Sequence, residues 1–152
     1  MIMKYLFIAF LGLAPISELR GAIPTGIFMG LNPYLVILIS VMANLLIIPL
    51  VYFFLTFIHD KLLNIKFYKT TFNKYIESKR GKLEKYIGTK WEFVALMLFV
   101  AIPLPVTGAY TGTLLAWFFK LEKKETYLAL SLGVLIAATI ITTITILGFK
   151  LF

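Results

Sequence analysis

The sequence predicts an all-α integral membrane protein built from two inverted repeats. Each repeat is a Pro/Gly-broken re-entrant helical hairpin followed by a transmembrane helix, and a basic amphipathic surface helix joins the two. Three observations carry this expectation. Hydrophobic residues make up 61% of the 152 positions, and the mean hydropathy is +0.94, more apolar than a soluble domain of this size. The apolar residues gather in the runs 5–31, 33–58, 91–119 and 126–149, all long enough to enter a bilayer. The first and third runs are interrupted near their centres by clusters of proline, glycine and polar residues. The chain divides as one membrane domain, 1–152, with a first repeat 1–58, a connector 59–90 and a second repeat 91–152.

The first interruption is Ala14-Pro15-Ile16-Ser17-Glu18-Leu19-Arg20-Gly21-Ala22-Ile23-Pro24-Thr25-Gly26. Pro15 and Pro24 each remove a backbone donor and disfavour helix just before them. An ionisable residue at bilayer depth costs at least ~2.5–3.5 kcal/mol, so Glu18 and Arg20 need protein or a water-filled cavity around them. Broken backbone at that depth needs the same shelter. The flanking arms, 5–16 and 22–31, are half-length. About twelve helical residues rise ~18 Å against a ~30 Å hydrocarbon core. A hairpin entering and leaving on one side fits these lengths, as does a single kinked spanning helix. Lys4 followed by an apolar run to Ala14 has the shape of a signal peptide. Cleavage is not expected, because the tip that follows has a counterpart later in the chain.

Leu31-Asn32-Pro33 forms a turn, and 33–58 is a full span containing Asn44 and Pro49. Asn44 is a candidate partner for a hairpin backbone group or general interhelical glue; Pro49 is expected to kink the helix. The connector carries nine Lys and Arg residues. Its apolar residues Ile65, Tyr68, Phe72, Ile76, Leu83 and Ile87 recur mostly three or four apart, with Gly81 expected to split the pattern. That describes a basic amphipathic helix on an anionic membrane face. His59, the single histidine, sits at a span end as an interfacial residue.

The second interruption is Ile102-Pro103-Leu104-Pro105-Val106-Thr107-Gly108-Ala109-Tyr110-Thr111-Gly112, again between half-length arms. Trp117 suits an interface. In the final span, Gly133 and Ala137 form a small-xxx-small face for close packing. The halves match in order and in residues: Gly21-Ala22-Ile23-Pro24-Thr25-Gly26 parallels Gly108-Ala109-Tyr110-Thr111-Gly112 with one residue deleted. Paired interrupted segments are the best sequence pointer to a transporter's binding site. Charge agrees. If both broken segments are re-entrant, the loops 59–90 and 120–125 share a side that holds twelve of the fifteen Lys and Arg residues. The positive-inside rule then makes 59–90 cytoplasmic and places both termini outside.

The motifs at 15–24 and 103–112 resemble the two signatures of the small multidrug export protein family. That family is similar in turn to the DedA, or VTT-domain, membrane proteins. The resemblance spans nearly the whole chain and implies two opposed re-entrant hairpins, each followed by a membrane helix. It also implies lipid translocation, including recycling of polyprenyl phosphate carriers, and proton-linked drug tolerance. DedA relatives typically have acidic residues near the first hairpin, matched by Glu18, and arginines near the second. Here the arginine is Arg20 in the first tip, and 91–119 contains none.

The chemistry expected at the tips follows from their charges. Glu18 is a candidate coupling-ion site, because low dielectric disfavours its ionised form while Arg20 favours it. Arg20 can hold a phosphate or carboxylate, and helix N-terminal ends add positive partial charge. Ser17, Thr25, Thr107, Tyr110 and Thr111 are candidate hydrogen-bonding groups. Pro15, Gly21, Pro24, Gly26, Pro103, Pro105, Gly108 and Gly112 shape the tip backbone. A structural ion pair capping the broken helices is the competing role for Glu18 and Arg20. One histidine, no cysteine and no carboxylate cluster provide neither a metal site nor a nucleophile–base pair, so no cofactor is expected. The function expected is a small transporter, proton- or sodium-coupled, moving an amphipathic or lipid-phosphate-like substrate. A membrane-assembly scaffold is the alternative, and a lipid-modifying enzyme is a weaker one. Membrane lipids and a second copy of the chain, as a homodimer, are the expected partners. The net charge of +8 belongs to membrane-flanking loops, and no nucleic-acid reader motif accompanies it.

Overall fold

The computed structural model describes residues 1–59, 64, 66–89, 91–104 and 107–151, with side chains at all of these except 67, 68, 79, 80, 82, 83 and 149–151. Every regular element among them is a helix. The first half holds α1 (Ile2–Leu13), α2 (Glu18–Phe28) and α3 (Pro33–Phe57). The connector is α4 (Lys66–Leu83), running into a 3₁₀ turn at Glu84–Tyr86. The second half holds α5 (Glu92–Ala101), α6 (Ala109–Phe118) and α7 (Lys123–Leu151).

Helix lengths fall into two classes. α3 and α7 have 25 and 29 residues, and both are long and apolar enough to cross a membrane. α1, α2, α5 and α6 have 12, 11, 10 and 10 residues, so each rises only ~15–18 Å. The start of α3 is set by sequence. Asn32 Oδ1 accepts from the N–H groups of Tyr34 at 3.0 Å and Leu35 at 3.4 Å, and Pro33 occupies the first helical position.

Three expectations need correction. The first break is narrower than the motif: α1 ends at Leu13 and α2 begins at Glu18, with Pro24 inside it. An interior proline costs ~3 kcal/mol or more in an isolated helix. Here Leu19, Ala22 and Ile23, all buried, fix α2 in the core, so tertiary packing outweighs the local preference. Gly81 does not split the connector, for α4 stays helical through it; a glycine so near the helix end costs only ~1 kcal/mol. The apolar stripe of α4 also docks on protein: Ile76 is 2% exposed, and Phe72 packs against the core. Ile65 and the side chains of Tyr68 and Leu83 lie outside the described residues. His59 is buried, its ring 4.3 Å from that of Phe72 and 5.1 Å from that of Trp117.

The packing partners repeat between halves. α1 lies along α3, and α5 lies along α7. The second short helix of each half also reaches the other half: α2 packs on both α3 and α7, and α6 chiefly on α3. α1 and α2 also pack on each other. The long helices accept their short partners at the same position, their eleventh residue. A Cβ on Gly12 would lie 3.0 Å from Ala43 Cβ on α3, and one on Gly133 of α7 would lie 2.7 Å from the Met97 carbonyl of α5. The small-residue face predicted at Gly133 and Ala137 is therefore where α5 approaches most closely. On the outside of α3, Leu38, Met42, Leu46, Leu50, Phe53 and Phe57 form an exposed apolar stripe. In water such a stripe would be a liability; against lipid it is the expected surface.

Candidate functional site

The two breaks lie level with the middles of the long helices. Asn44, the twelfth residue of α3, donates from Nδ2 to the carbonyl of Gly12 at 3.3 Å. Of the two roles open to Asn44 in the sequence, the bond to a backbone group of the first broken segment is the one observed. On the other side, Glu18 and Arg20 meet Val100, Pro103, Gly108 and Ala137, and Ala137 is the fifteenth residue of α7.

At this level each tip satisfies backbone groups that the other has left open. A helix end leaves N–H and C=O groups without intrahelical partners, and in a low-dielectric interior each unpaired group is costly. Glu18 is 6% exposed, and its Oε1 accepts from the backbone N–H of Tyr110 at 3.2 Å, in the first turn of α6. A carboxylate there also meets the positive end of the α6 dipole. The Arg20 guanidinium donates to the carbonyls of Leu104 and Thr107 in the second break. In return, the Tyr110 hydroxyl donates to the carbonyl of Leu13 at 2.5 Å, at the end of α1. Thr107 Oγ1 lies 2.9 Å from the Ile102 carbonyl and 2.8 Å from that of Leu104.

The backbone is shaped for this meeting. Glu18 takes φ 47°, a left-handed conformation that costs a side-chain-bearing residue of order 1–3 kcal/mol. Gly108 takes φ 150°, and a Cβ there would collide with the Glu18 carboxyl. Gly108 is thus required twice, for its dihedral and for its empty side. Gly112 meets Leu130 and Val100 at 2.7 Å where a Cβ would stand, and Gly26 meets Val36 at 2.5 Å. Those two glycines let the second short helices close on their neighbours.

Beside the tips lies a cavity of ≈ 850 Å³. Its polar wall is Glu18, Arg20, Thr107, Tyr110, Thr111 and Tyr75. Its apolar wall comes chiefly from α3, through Leu50, Val51, Phe54 and Leu55, with Phe72 of α4 and Leu114 of α6. Pro15 and Ile16 form part of its rim, and Ile16 is 99% exposed. Of the residues predicted for the site, Glu18, Arg20, Thr107, Tyr110 and Thr111 are brought together. Ser17 and Thr25 do not line the cavity. The Ser17 hydroxyl is buried against Gly21, whose missing side chain makes room for it. Thr25 lies seven residues beyond Glu18 along α2, about 10 Å further on. Pro105 lies outside the described residues.

Sequence reasoning missed Tyr75. It reaches in from α4, and its hydroxyl is 2.6 Å from Thr111 Oγ1. The available signal was its place beside Phe72 and Ile76 on the apolar stripe, with a polar tip suited to a wet cavity. The matching glycine motifs also sit in different registers: Gly108 caps α6, whereas Gly21 is the fourth residue of α2. The extra turn in α2 is the one that carries Glu18 and Arg20.

Two membrane-length helices, four half-length helices and a buried Glu18 beside a partly buried Arg20 at their junction define a small helical membrane protein. The chain belongs to the family described as "Putative small multi-drug export protein", whose model matches residues 18–140. That stretch includes both cavity-lining charges and the whole second break, and it begins after α1. No curated protein and no solved structure matches the chain significantly.

Proposed function

We propose that the protein is a small ion-coupled transporter, not an enzyme, whose substrate is amphipathic or lipid-phosphate-like and passes through the cavity beside the two tips. The observation that carries this is the cavity's division into a charged, hydroxyl-rich wall and an apolar one. Arg20 and the hydroxyls of Thr111, Tyr110 and Tyr75 suit an anionic head, and the α3 wall suits a hydrocarbon tail. Leu50 and Phe54 line the cavity while exposed on the outer face of α3, alongside Ile16. A substrate dissolved in the bilayer could reach the site sideways. Glu18 is the coupling group in this reading: taking up a cation or proton there weakens its hold on α6 and frees the two tips to part.

The same reading makes each short-helix pair a re-entrant hairpin, entering from opposite faces as inverted repeats. Their lengths, the packing of α1 on α2 and the alignment of both breaks with mid-α3 and mid-α7 support it. The connector 59–90 is cytoplasmic, the chain is multi-pass in the cell membrane, and the protein works as a homodimer. The likeness of the tip motifs to DedA proteins leads the same way.

One observation favours a second role, that of a membrane-assembly scaffold: Glu18 and Arg20 both spend hydrogen bonds on the opposite tip. Proteoliposome flux separates the two. Fluorescent polyprenyl phosphate, common phospholipids and cationic dyes would each be followed with and without a pH gradient. Gradient-dependent movement of one of them, lost in Glu18→Gln, is the expected result. Movement in wild type retained in full by Glu18→Gln and Arg20→Lys would make both residues structural. No movement of any substrate by correctly inserted protein would favour the scaffold.

A further inference from the structure

A second cavity, of ≈ 650 Å³, lies at the opposite end of α6 from the tips. It is enclosed by the ends of α3 and α6, the start of α7 and one face of α4. Its walls divide as the first cavity's do, with a different polar set. Lys69 and Asn73 come from α4, Lys120 from the α6–α7 turn, and Lys123 from the first residue of α7. Buried His59 and the rings of Tyr52, Phe72 and Trp117 form the deeper side. Among the described residues no carboxylate lines it.

Two details describe how the positive charge is placed there. Lys120 takes φ 56°, the left-handed position after a helix where glycine or asparagine is the usual occupant. The start of a 29-residue helix adds its positive end beside these exposed lysines, while Glu122 and Glu125 of the same turn do not line the cavity. Inside the cavity no described carboxylate answers these lysines, so an anion there would be met by their charge.

We propose that this cavity is an anion site that takes a phosphate-bearing group, with the aromatic and aliphatic wall covering what the phosphate is attached to. Lys69, Lys120 and Lys123 hold the charge, Asn73 offers its amide, and Trp117 and Phe72 stack along the attached carbon skeleton. The site lies at the bundle end where α3 finishes, so an anionic phospholipid head can occupy it from the membrane surface and free phosphate from solution. The proposal does not depend on transport through the first cavity.

The test uses the full chain in phosphatidylcholine nanodiscs, with Trp91→Phe leaving Trp117 as the sole tryptophan reporter. One arm replaces part of the lipid with phosphatidylglycerol bearing brominated acyl chains, a tryptophan quencher. The other adds inorganic phosphate. Brominated phosphatidylglycerol should quench Trp117 more than brominated phosphatidylcholine does. Lys69→Gln, Lys120→Gln and Lys123→Gln together should weaken that preference at least about tenfold. A Trp117 response to phosphate in neutral lipid would identify free phosphate as a ligand; a response to phosphatidylglycerol alone would identify the lipid head. Either supports an anion site. Lys66→Gln, Lys74→Gln and Lys85→Gln together remove the same charge from exposed positions outside the cavity. If this control weakened the preference as much, or if neither ligand reached Trp117, the site would be refuted and only a diffuse basic surface would remain.

Discussion

Glu18 and Arg20 stand two apart in the chain, a spacing at which side chains on a regular helix do not face each other. They nevertheless work together because both reach across to the second break, Glu18 to an N–H and Arg20 to two carbonyls. The distinction between coupling and capping can be drawn at this scale. Gln at 18 still offers an oxygen to the Tyr110 N–H but carries no charge. Glu18→Gln should therefore lower stability by no more than about 1 kcal/mol, the worth of a charge at a helix end, while abolishing gradient-driven flux. Gly108→Ala tests the contact itself. The dihedral and the collision with the Glu18 carboxyl should together lower stability by about 1–3 kcal/mol, read as a fall in thermal midpoint in mild detergent. An unchanged midpoint would mean that the tips do not meet as described. The two charges were legible in the sequence because ionisable groups inside apolar runs have few innocent explanations, whereas of the tip hydroxyls Thr107, Tyr110 and Thr111 line the cavity and Ser17 and Thr25 do not. The partners of the two charges were not legible, since backbone groups 84 to 92 residues away leave no mark on composition or period.

At the scale of elements, the long helices and half-length arms followed directly from the lengths of the apolar runs. Local breakers were the weaker guide: Pro24 and Gly81 lie inside helices, as Pro49 alone was expected to. At the prolines packing decides, with Ile23 and Ile47 fully buried beside them, whereas exposed Gly81 is carried near a helix end at small cost. What covers the connector was not legible for a related reason. An amphipathic stripe shows that one face is covered without showing what covers it, and α4 covers its stripe with α5 and α6. Ile76→Lys should release it. Amide hydrogen exchange in α4 should then accelerate by more than about tenfold while the centres of α3 and α7 stay protected. Equal protection in the variant would mean that α4 is held by lipid instead of by the bundle.

For the whole molecule, contacts of α2 and α3 with α7, and of α6 with α3, tie the two halves together. Two opposed hairpins would place the basic connector on one side of the membrane and both termini on the other. The chain has no cysteine, so single cysteines report topology without background. Lys74→Cys should react with a membrane-impermeant thiol reagent only from the cytoplasmic side, and Met3→Cys only from the outside. Reaction of both from one side would exclude the opposed arrangement. A dimeric mass in native membranes is expected alongside.

The most direct test of transport through the tip cavity uses Leu114→Cys, a half-buried wall residue one turn along α6 from Thr111 in a cavity that Arg20 also lines. Flux of the transported amphipathic substrate is measured in proteoliposomes before and after a small methanethiosulfonate reagent, with lipid-facing Leu38→Cys as the control. The reagent should stop flux through Leu114→Cys and leave Leu38→Cys unaffected. Undiminished flux through fully labelled Leu114→Cys would contradict transport through this cavity, because the substrate would then be crossing somewhere else.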